Sequence, residues 1–337
     1  MSALQRLNRQ LPLLLAVVLA ALPLVLTPYL SDLVVKILVF SIFALSLELL
    51  VGMTGLVSLG HAAFFGLGAY ASVMLSPEYD PGHLGLLAGA AVGVAALYAL
   101  FVGALSLRTK GVYFIMVTLA FAQMAYFLCH DTKLAGGSDG IFLNVRPTLG
   151  PLDTGNKQHL YYLVWGALVF TYGLLALIRR SRFGHALAGI RVNEQRMRAA
   201  GFATYGYKLA AFVIAGALAG LAGCLLAVKD AAVNPELLSW HESGAVLLMI
   251  ILGGLGHLRG AVLGAAAFVL LKELYATPAL VGNFLADHWQ LTLGLTIIAF
   301  VAGMPQGLLG LGAQWQQARQ ARRLRRSRQR PPAGGRA

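Results

Sequence analysis

The unbroken apolar runs constrain this chain more than any other feature. A helix rises ~1.5 Å per residue and the hydrocarbon of a bilayer is ~30 Å thick, so about 20 mostly apolar residues cross it. Runs approaching that length lie at 12–29, 33–52, 56–75, 84–106, 112–129, 160–178, 208–228, 243–257, 261–276 and 289–303. Their apolar residues are continuous, whereas those of a spanning strand alternate, and helices and closed barrels are the structures that satisfy a backbone in lipid. Charged residues make up only 12% of the chain. That is about half the roughly 25% of a soluble domain, which excludes a soluble globule. The expectation is an all-α, polytopic membrane protein of about ten transmembrane helices. The last three runs are short, so a broken or re-entrant helix is expected among them.

Charge orients the spans. With the N-terminus placed in the cytoplasm, segments 1–11, 107–111, 179–208, 258–260 and 304–337 carry 20 of the 26 Lys and Arg, and Glu194 is their one acid. The opposite connections hold ten of the 13 acids. This asymmetry follows the positive-inside rule and sets both termini in the cytoplasm. The chain then divides into a transmembrane domain, 1–312, with the cytoplasmic connection 179–208 inside it, and a basic tail, 313–337. The tail combines arginines with Pro331, Pro332 and glycines. Such a composition stays disordered and solvated and is drawn to anionic lipid headgroups. Nucleic acid is not an expected partner.

Several chemistries lack their residues. There is no GxxxxGK[ST] loop for ATP, no nucleophile elbow and no HExxH, each of which needs its own spacing. Cys129 and Cys224 lie in apolar runs far apart, so neither a disulfide nor a metal site is expected. An enzyme, a metal and a cofactor are therefore not expected. Glu48 is the one ionisable residue well inside a span, nearer its cytoplasmic end. Proton- and ion-coupled carriers usually hold more.

Three stretches carry the functional signal. The 30-residue connection 179–208 has helical spacing within 186–200 and Gly201 placed as a C-terminal cap. It reads either as a helix lying on headgroups or as a docking surface for a soluble partner. In 55–70, GLVSLGHAAFFGLGAY, glycines interrupt a helix, as happens in lipid only where backbone is buried in protein or lines a cavity. Ser58, Gly60, His61, Phe64, Phe65 and Gly66, together with Glu48, are the candidate path residues. A third stretch, AGGSDGI, offers Gly136, Gly137, Ser138, Asp139 and Gly140 on the outer side, as a partner contact or a tight turn. Gly85/Gly89/Gly93, Gly216/Gly220 and Gly260/Gly264 have the spacing of close helix packing. A faint correspondence of 55–70 with 253–270 hints at an internal duplication.

In order along the chain, GLVSLGHAAFFGLGAY, LRTKGVYFIMVTLAFAQM, GGSDGI, SRFGHALAGIRVNE followed by AAG, YKLAAFVIAGALAGLAGCLLA, LLMIILGGLGHLRGAVLGAA and MPQGLLGL resemble the M-type permeases of branched-chain amino-acid ABC importers. The resemblance implies a bacterial inner-membrane heterodimer of two homologous permeases, with two cytoplasmic ATPase subunits and a periplasmic amino-acid-binding protein. It implies an architecture similar to the cobalamin-importer permease. It also implies that Arg191, Asn193, Glu194, Arg198, Ala199, Ala200 and Gly201 dock the ATPase. At Glu48 the chain departs from the Asn usual in that family. Other readings are an importer of urea, short amides or another small polar solute, and a stand-alone channel, which would need neither ATP nor partners.

Overall fold

In the computed structural model, residues 19–24, 26–150, 152–278, 288–304 and 307–310 are described. The tail 313–337 and most of the first apolar run lie outside them. The chain orders as α1 (Pro28–Glu48), which continues into a π-helical turn (Leu49–Thr54), then α2 (His61–Met74), α3 (Leu84–Ser106) and α4 (Val112–Asp131). Short strands β1 (Ile141–Phe142), β2 (Thr148–Leu149) and β3 (Leu152–Asp153) follow, then α5 (Lys157–Arg180), α6 (Arg182–Val192), α7 (Glu194–Ala199) and α8 (Thr204–Asp230). The described chain closes with β4 (Ala232–Val233), α9 (Trp240–Gly253), α10 (Leu258–Ala276) and α11 (Trp289–Gly303).

Six helices are long and apolar enough to cross a membrane: Pro28–Thr54, α3, α4, α5, α8 and one starting at Trp289. A seventh crossing arises if α9 and α10, bent by 117° at their junction, count as one broken span. The break expected among the last runs is therefore present. The run 56–75 yields only the 14-residue α2, because Gly55, at φ 74°, ends the π turn and the backbone stays non-helical to Gly60. The structure thus gives six or seven membrane-length crossings among the described residues.

Two helices form the centre. The apolar windows of Pro28–Thr54 and Thr204–Asp230 are 83% and 78% buried, against 28% for α3, α4 and α5. α8 packs along α2 and α3 and against α1, while α1 also meets α5 and α10. Small residues permit the closest approaches. A Cβ on Gly68 would strike Gly220, and one on Gly223 would strike the Phe65 carbonyl. Gly216 and Gly220 sit against Ala99, Ala95 and Ala91 of α3, and Gly264 against the Met249 carbonyl. These are the small-residue contacts that hold helices together in lipid. Gly89 and Gly93 differ, for nothing lies within 4 Å of a Cβ there. α3 turns its alanines to α8, which leaves these glycines on the far side.

Candidate functional site

The first site is the break between α1 and α2. Within the π turn the Gly55 N–H donates to the Leu50 carbonyl, an i→i−5 bond that widens the helix by one residue, a device frequent at functional positions. Thr54 Oγ1 donates to the same carbonyl at 2.6 Å. The chain then crosses to α2, whose N-terminal turn is held from outside: Ser243 Oγ of α9 accepts from the Ala62 N–H at 2.9 Å. Ser58 Oγ accepts from the Gly60 N–H at 3.3 Å. Gly60 lies against the Thr118 backbone, so a side chain has no room there. Gly66 abuts Leu237 and Leu238 in the same way.

His61 is fully buried at the start of α2, stacked on Phe43 at 5.6 Å with Phe64 edge-on at 5.6 Å. Its Nε2 lies 2.8 Å from Ser46 Oγ. Ser46 donates its only proton to the Phe43 carbonyl at 2.6 Å. It can then only accept from His61, which places the imidazole proton on Nε2 and leaves Nδ1 an acceptor. That Nδ1 is buried without a hydrogen-bond partner. Phe65 stacks on Phe43 at 4.4 Å. The structure therefore joins Ser58, Gly60, His61, Phe64 and Phe65 in one buried cluster, to which Ser46 and Ser243 belong. Sequence reading missed both serines, although Ser46 sits only two residues from Glu48.

Glu48 lies one helical turn before Gly52 and is 2% exposed. Its carboxylate folds over Gly52, where a Cβ would collide with it. The backbone N–H groups of Gly256 and His257, at the α9–α10 bend, face that carboxylate, and Arg191 and Arg179 attract it. Oε2 has no hydrogen-bond partner. Arg191 reaches in from α6: its Nη1 donates to the Gly52 carbonyl, its Cγ lies 3.3 Å from a Cβ built on Gly55, and its Nη1 lies 3.7 Å from one on Gly256. The two breaks meet at this point. Both end in a Leu-Gly-His run, 59–61 and 255–257, and both turn on glycines with positive φ, Gly55 in one and Gly254 and Gly256 in the other.

The connection 179–208 folds as two helices. Ser181 Oγ caps α6 by accepting from the Gly184 N–H at 3.2 Å, and the Asn193 side chain caps α7 by accepting from the Arg196 N–H at 2.9 Å. α7 ends in a Schellman motif. The Gly201 N–H reaches the Arg198 carbonyl, the Phe202 N–H reaches the Met197 carbonyl, and Gly201 takes φ 87°. Glu194 turns inward. Its Oε1 accepts from Lys208 Nζ at 2.9 Å, Arg198 Nη2 at 2.6 Å and Thr204 Oγ1 at 3.2 Å. Burial raises the Glu194 pKa, but the hydrogen bonds and charges of Lys208 and Arg198 outweigh it and hold the carboxyl below its ordinary value. Glu194 therefore ties α7 to α8. Exposed around it are Val192, Asn193, Arg196, Arg198, Ala199, Ala200 and Gly201. A shallow groove of 390 Å³ between α6 and α7 is lined by Ala188, Gly189, Val192, Asn193, Arg196 and Met197.

At the other end of the bundle, Gly136, Gly137 and Gly140 all take positive φ. A Cβ on Gly136 would meet the Gly140 carbonyl, and one on Gly140 the Val233 carbonyl. The glycines thus build a tight turn that leads β1 into its antiparallel pairing with β4. Ser138 and Asp139 stand exposed at its tip. Among the described residues no three His, Cys, Asp or Glu side chains gather as a metal site.

Residues 29–301 match the family of branched-chain amino acid transport system / permease components. The high-affinity branched-chain amino acid transport system permease protein LivM of Escherichia coli (strain K12) is 31% identical over 303 residues, spanning 82% of this chain and 69% of that one. LivM of Salmonella typhimurium is 28% identical over 302 residues, with the same shares covered. The permease LivH of Escherichia coli (strain K12) is 23% identical over 292 residues, or 80% of this chain and 91% of that one. No solved structure matches the chain.

Proposed function

The chain belongs to the family of permease components of branched-chain amino acid transport systems, and from that premise we propose that it is one of two homologous membrane subunits of an ATP-driven importer. The observation that carries the reading is the polar break held at the buried centre of a permease of this family. Non-helical backbone is tolerated at membrane depth where it lines a path. The cargo is a branched-chain or related amino acid. Ser58, Gly60, His61, Phe64, Phe65, Gly66 and Glu48 shape the path, and the bare His61 Nδ1 suits an ammonium donor. The chain hydrolyses nothing. Two cytoplasmic ATPases engage 191–201, where Asn193, Arg198, Ala199, Ala200 and Gly201 form the contact, while Arg191 and Glu194, both turned inward, set its shape from within. A periplasmic binding protein meets the turn at 136–140.

Matches to both a LivM and a LivH support pairing with a second, homologous permease. In the bilayer we count about ten crossings per chain, taking α2 and each limb of the bent pair separately and adding the run 12–29. We propose an arrangement like that of the cobalamin importer, in the bacterial inner membrane with both termini cytoplasmic. Reconstitution with the second permease, ATPases and binding protein tests the core claim. Leucine uptake should require ATP and all partners. Uptake by the permeases alone would instead identify a channel. Cysteines at Ser181 and Asn156 test the orientation, since only the latter should react with an impermeant reagent outside intact cells.

A further inference from the structure

The path and the docking helices are not separate in this chain, for Arg191 belongs to both. We propose that Arg191 and Glu48 form a latch that carries movement of the docking segment to the broken core, a role that rests on the importer reading above. The guanidinium and the carboxylate converge on Gly52 at the junction. The π turn presents carbonyls at the C-terminal end of α1, which is the negative pole of its dipole. The Arg191 guanidinium donates to one of them, that of Gly52. Next comes the Glu48 carboxylate. The Gly256 and His257 amides at the positive, N-terminal end of α10 also act on that carboxylate, and His257 makes no side-chain hydrogen bond that caps the helix.

Each member therefore has its complement in a different segment of the chain: 48–55 in α1, 191 in α6 and 256–257 at the bend. A Cβ on Gly55 would press on the Arg191 Cγ at 3.3 Å, one on Gly52 would displace the Glu48 carboxylate, and Gly256, beside the guanidinium, takes positive φ like Gly55. The docking helix cannot shift along its axis without drawing Arg191 off Gly52. That would draw the guanidinium away from Gly52 and so from Glu48, which is buried and already carries one bare oxygen. Arg191 is thus a positioning residue. It touches no solute, and it makes the contact of its guanidinium with the Gly52 carbonyl, beside the buried Glu48 carboxylate, favourable in one arrangement of α6 against the breaks and costly in others. Bistability of this kind turns a small displacement at one site into a discrete change at another.

The test uses the complete reconstituted importer. Arg191→Met should insert, pair with its partner permease and retain the ATPases. Hydrolysis should continue but lose its stimulation by solute-loaded binding protein, and uptake per ATP should fall about tenfold, within the usual range of coupling between sites. Arg191→Lys, which keeps a cation beside Glu48, should recover part of that loss. Glu48→Gln with Arg191→Met should be no worse than Arg191→Met alone, because the neutral amide no longer needs the cation. Equal coupling in Arg191→Met and the unmodified importer would sink the latch. So would release of the ATPases, which would make Arg191 a docking contact only. If Arg191→Met does not assemble, hydrogen exchange on the unmodified importer decides. Exchange at 254–258 should rise when the ATPases are trapped with nucleotide, and an unchanged rate there refutes the proposal. An unmodified importer with no ATP-dependent uptake would fail earlier, at the importer reading itself.

Discussion

Glu194 and Lys208 make an asymmetric pair, and the asymmetry can be measured. Lys208 is 7% exposed at the side chain and Glu194 24%. Glu194→Ala leaves an ammonium at the protein–water boundary facing Thr204, with no carboxylate. Breaking a fully buried pair costs ~3–5 kcal/mol, and the partial exposure here lowers that to about 2–3 kcal/mol. Lys208→Met is milder. Glu194 keeps Arg198, Thr204 and water, so the cost stays near ~1 kcal/mol or below. Tenfold corresponds to ~1.4 kcal/mol, so Glu194→Ala should speed exchange of the α7 amides by roughly 30- to 150-fold and Lys208→Met by about fivefold or less. Hydrogen-exchange mass spectrometry of the purified permease in nanodiscs reads both. Equal acceleration in the two variants, or none in Glu194→Ala, would refute the argument. The pH dependence has a fixed sign. The folded-state pKa is depressed, so the contribution is complete above the unfolded value of about 4.3 and fades as pH falls through the folded one. The effect of Glu194→Ala on exchange in α7 should therefore be constant between pH 6 and 8 once corrected for intrinsic rates, and should fade only in acid.

Gly201→Val meets open space but must hold φ 87°, at a cost of ~1–2 kcal/mol; α7 should fray and ATPase retention fall, while Gly201→Asn is tolerated, and pull-down from detergent compares them. Ser243→Ala strips the buried Ala62 N–H of its acceptor and should cost ~1–3 kcal/mol, seen as a lower unfolding midpoint; an unchanged midpoint would mean that another acceptor takes over. Gly223→Ala drives a methyl into the Phe65 carbonyl, an overpacking of ~1–3 kcal/mol, whereas Gly89→Ala, with nothing near, should be neutral in the same melt.

Much of the architecture was legible because it follows from one-dimensional signals. Continuous apolar runs located the long helices, and Gly60 announced the break before α2, whereas Gly66 and Gly68, also expected to interrupt the helix, lie inside its regular turns. Gly201 announced the end of α7, and the structure gives it the cap motif that the spacing suggested. What the runs could not reveal was how much of each becomes helix, since 56–75 is apolar throughout yet only 61–74 coils. The glycine spacings were legible as close packing but not as to partner: Gly216 and Gly220 meet α3, whereas Gly89 and Gly93 meet nothing. The fate of Glu194 was half legible. Arg198 lies four residues on along one helix face, but Lys208 reaches it only because α8 folds back. Glu48 stood out as a lone acid, yet its neighbours come from positions 191 and 256–257. No local pattern encodes such a meeting, nor that of Ser46 with His61.

The bent pair α9–α10 also has a history in time. At ~1.5 Å per residue the 14 residues of α9 reach about 21 Å, too short to cross a bilayer unaided. The amides at 256–257 turn to Glu48 rather than to their own helix, so in lipid they would stand bare. Both needs are met by protein that has already left the ribosome: α1, which brings Glu48 and packs along both limbs, and α2, which meets α9. The pair can settle only against a finished wall. The segment 240–276 transplanted into a foreign membrane protein should therefore fail to insert in its bent form, and in its own chain should lodge last and fall out first. Synthesis order is thus part of the fold, since the residues that interrupt the late helices depend on those that came early.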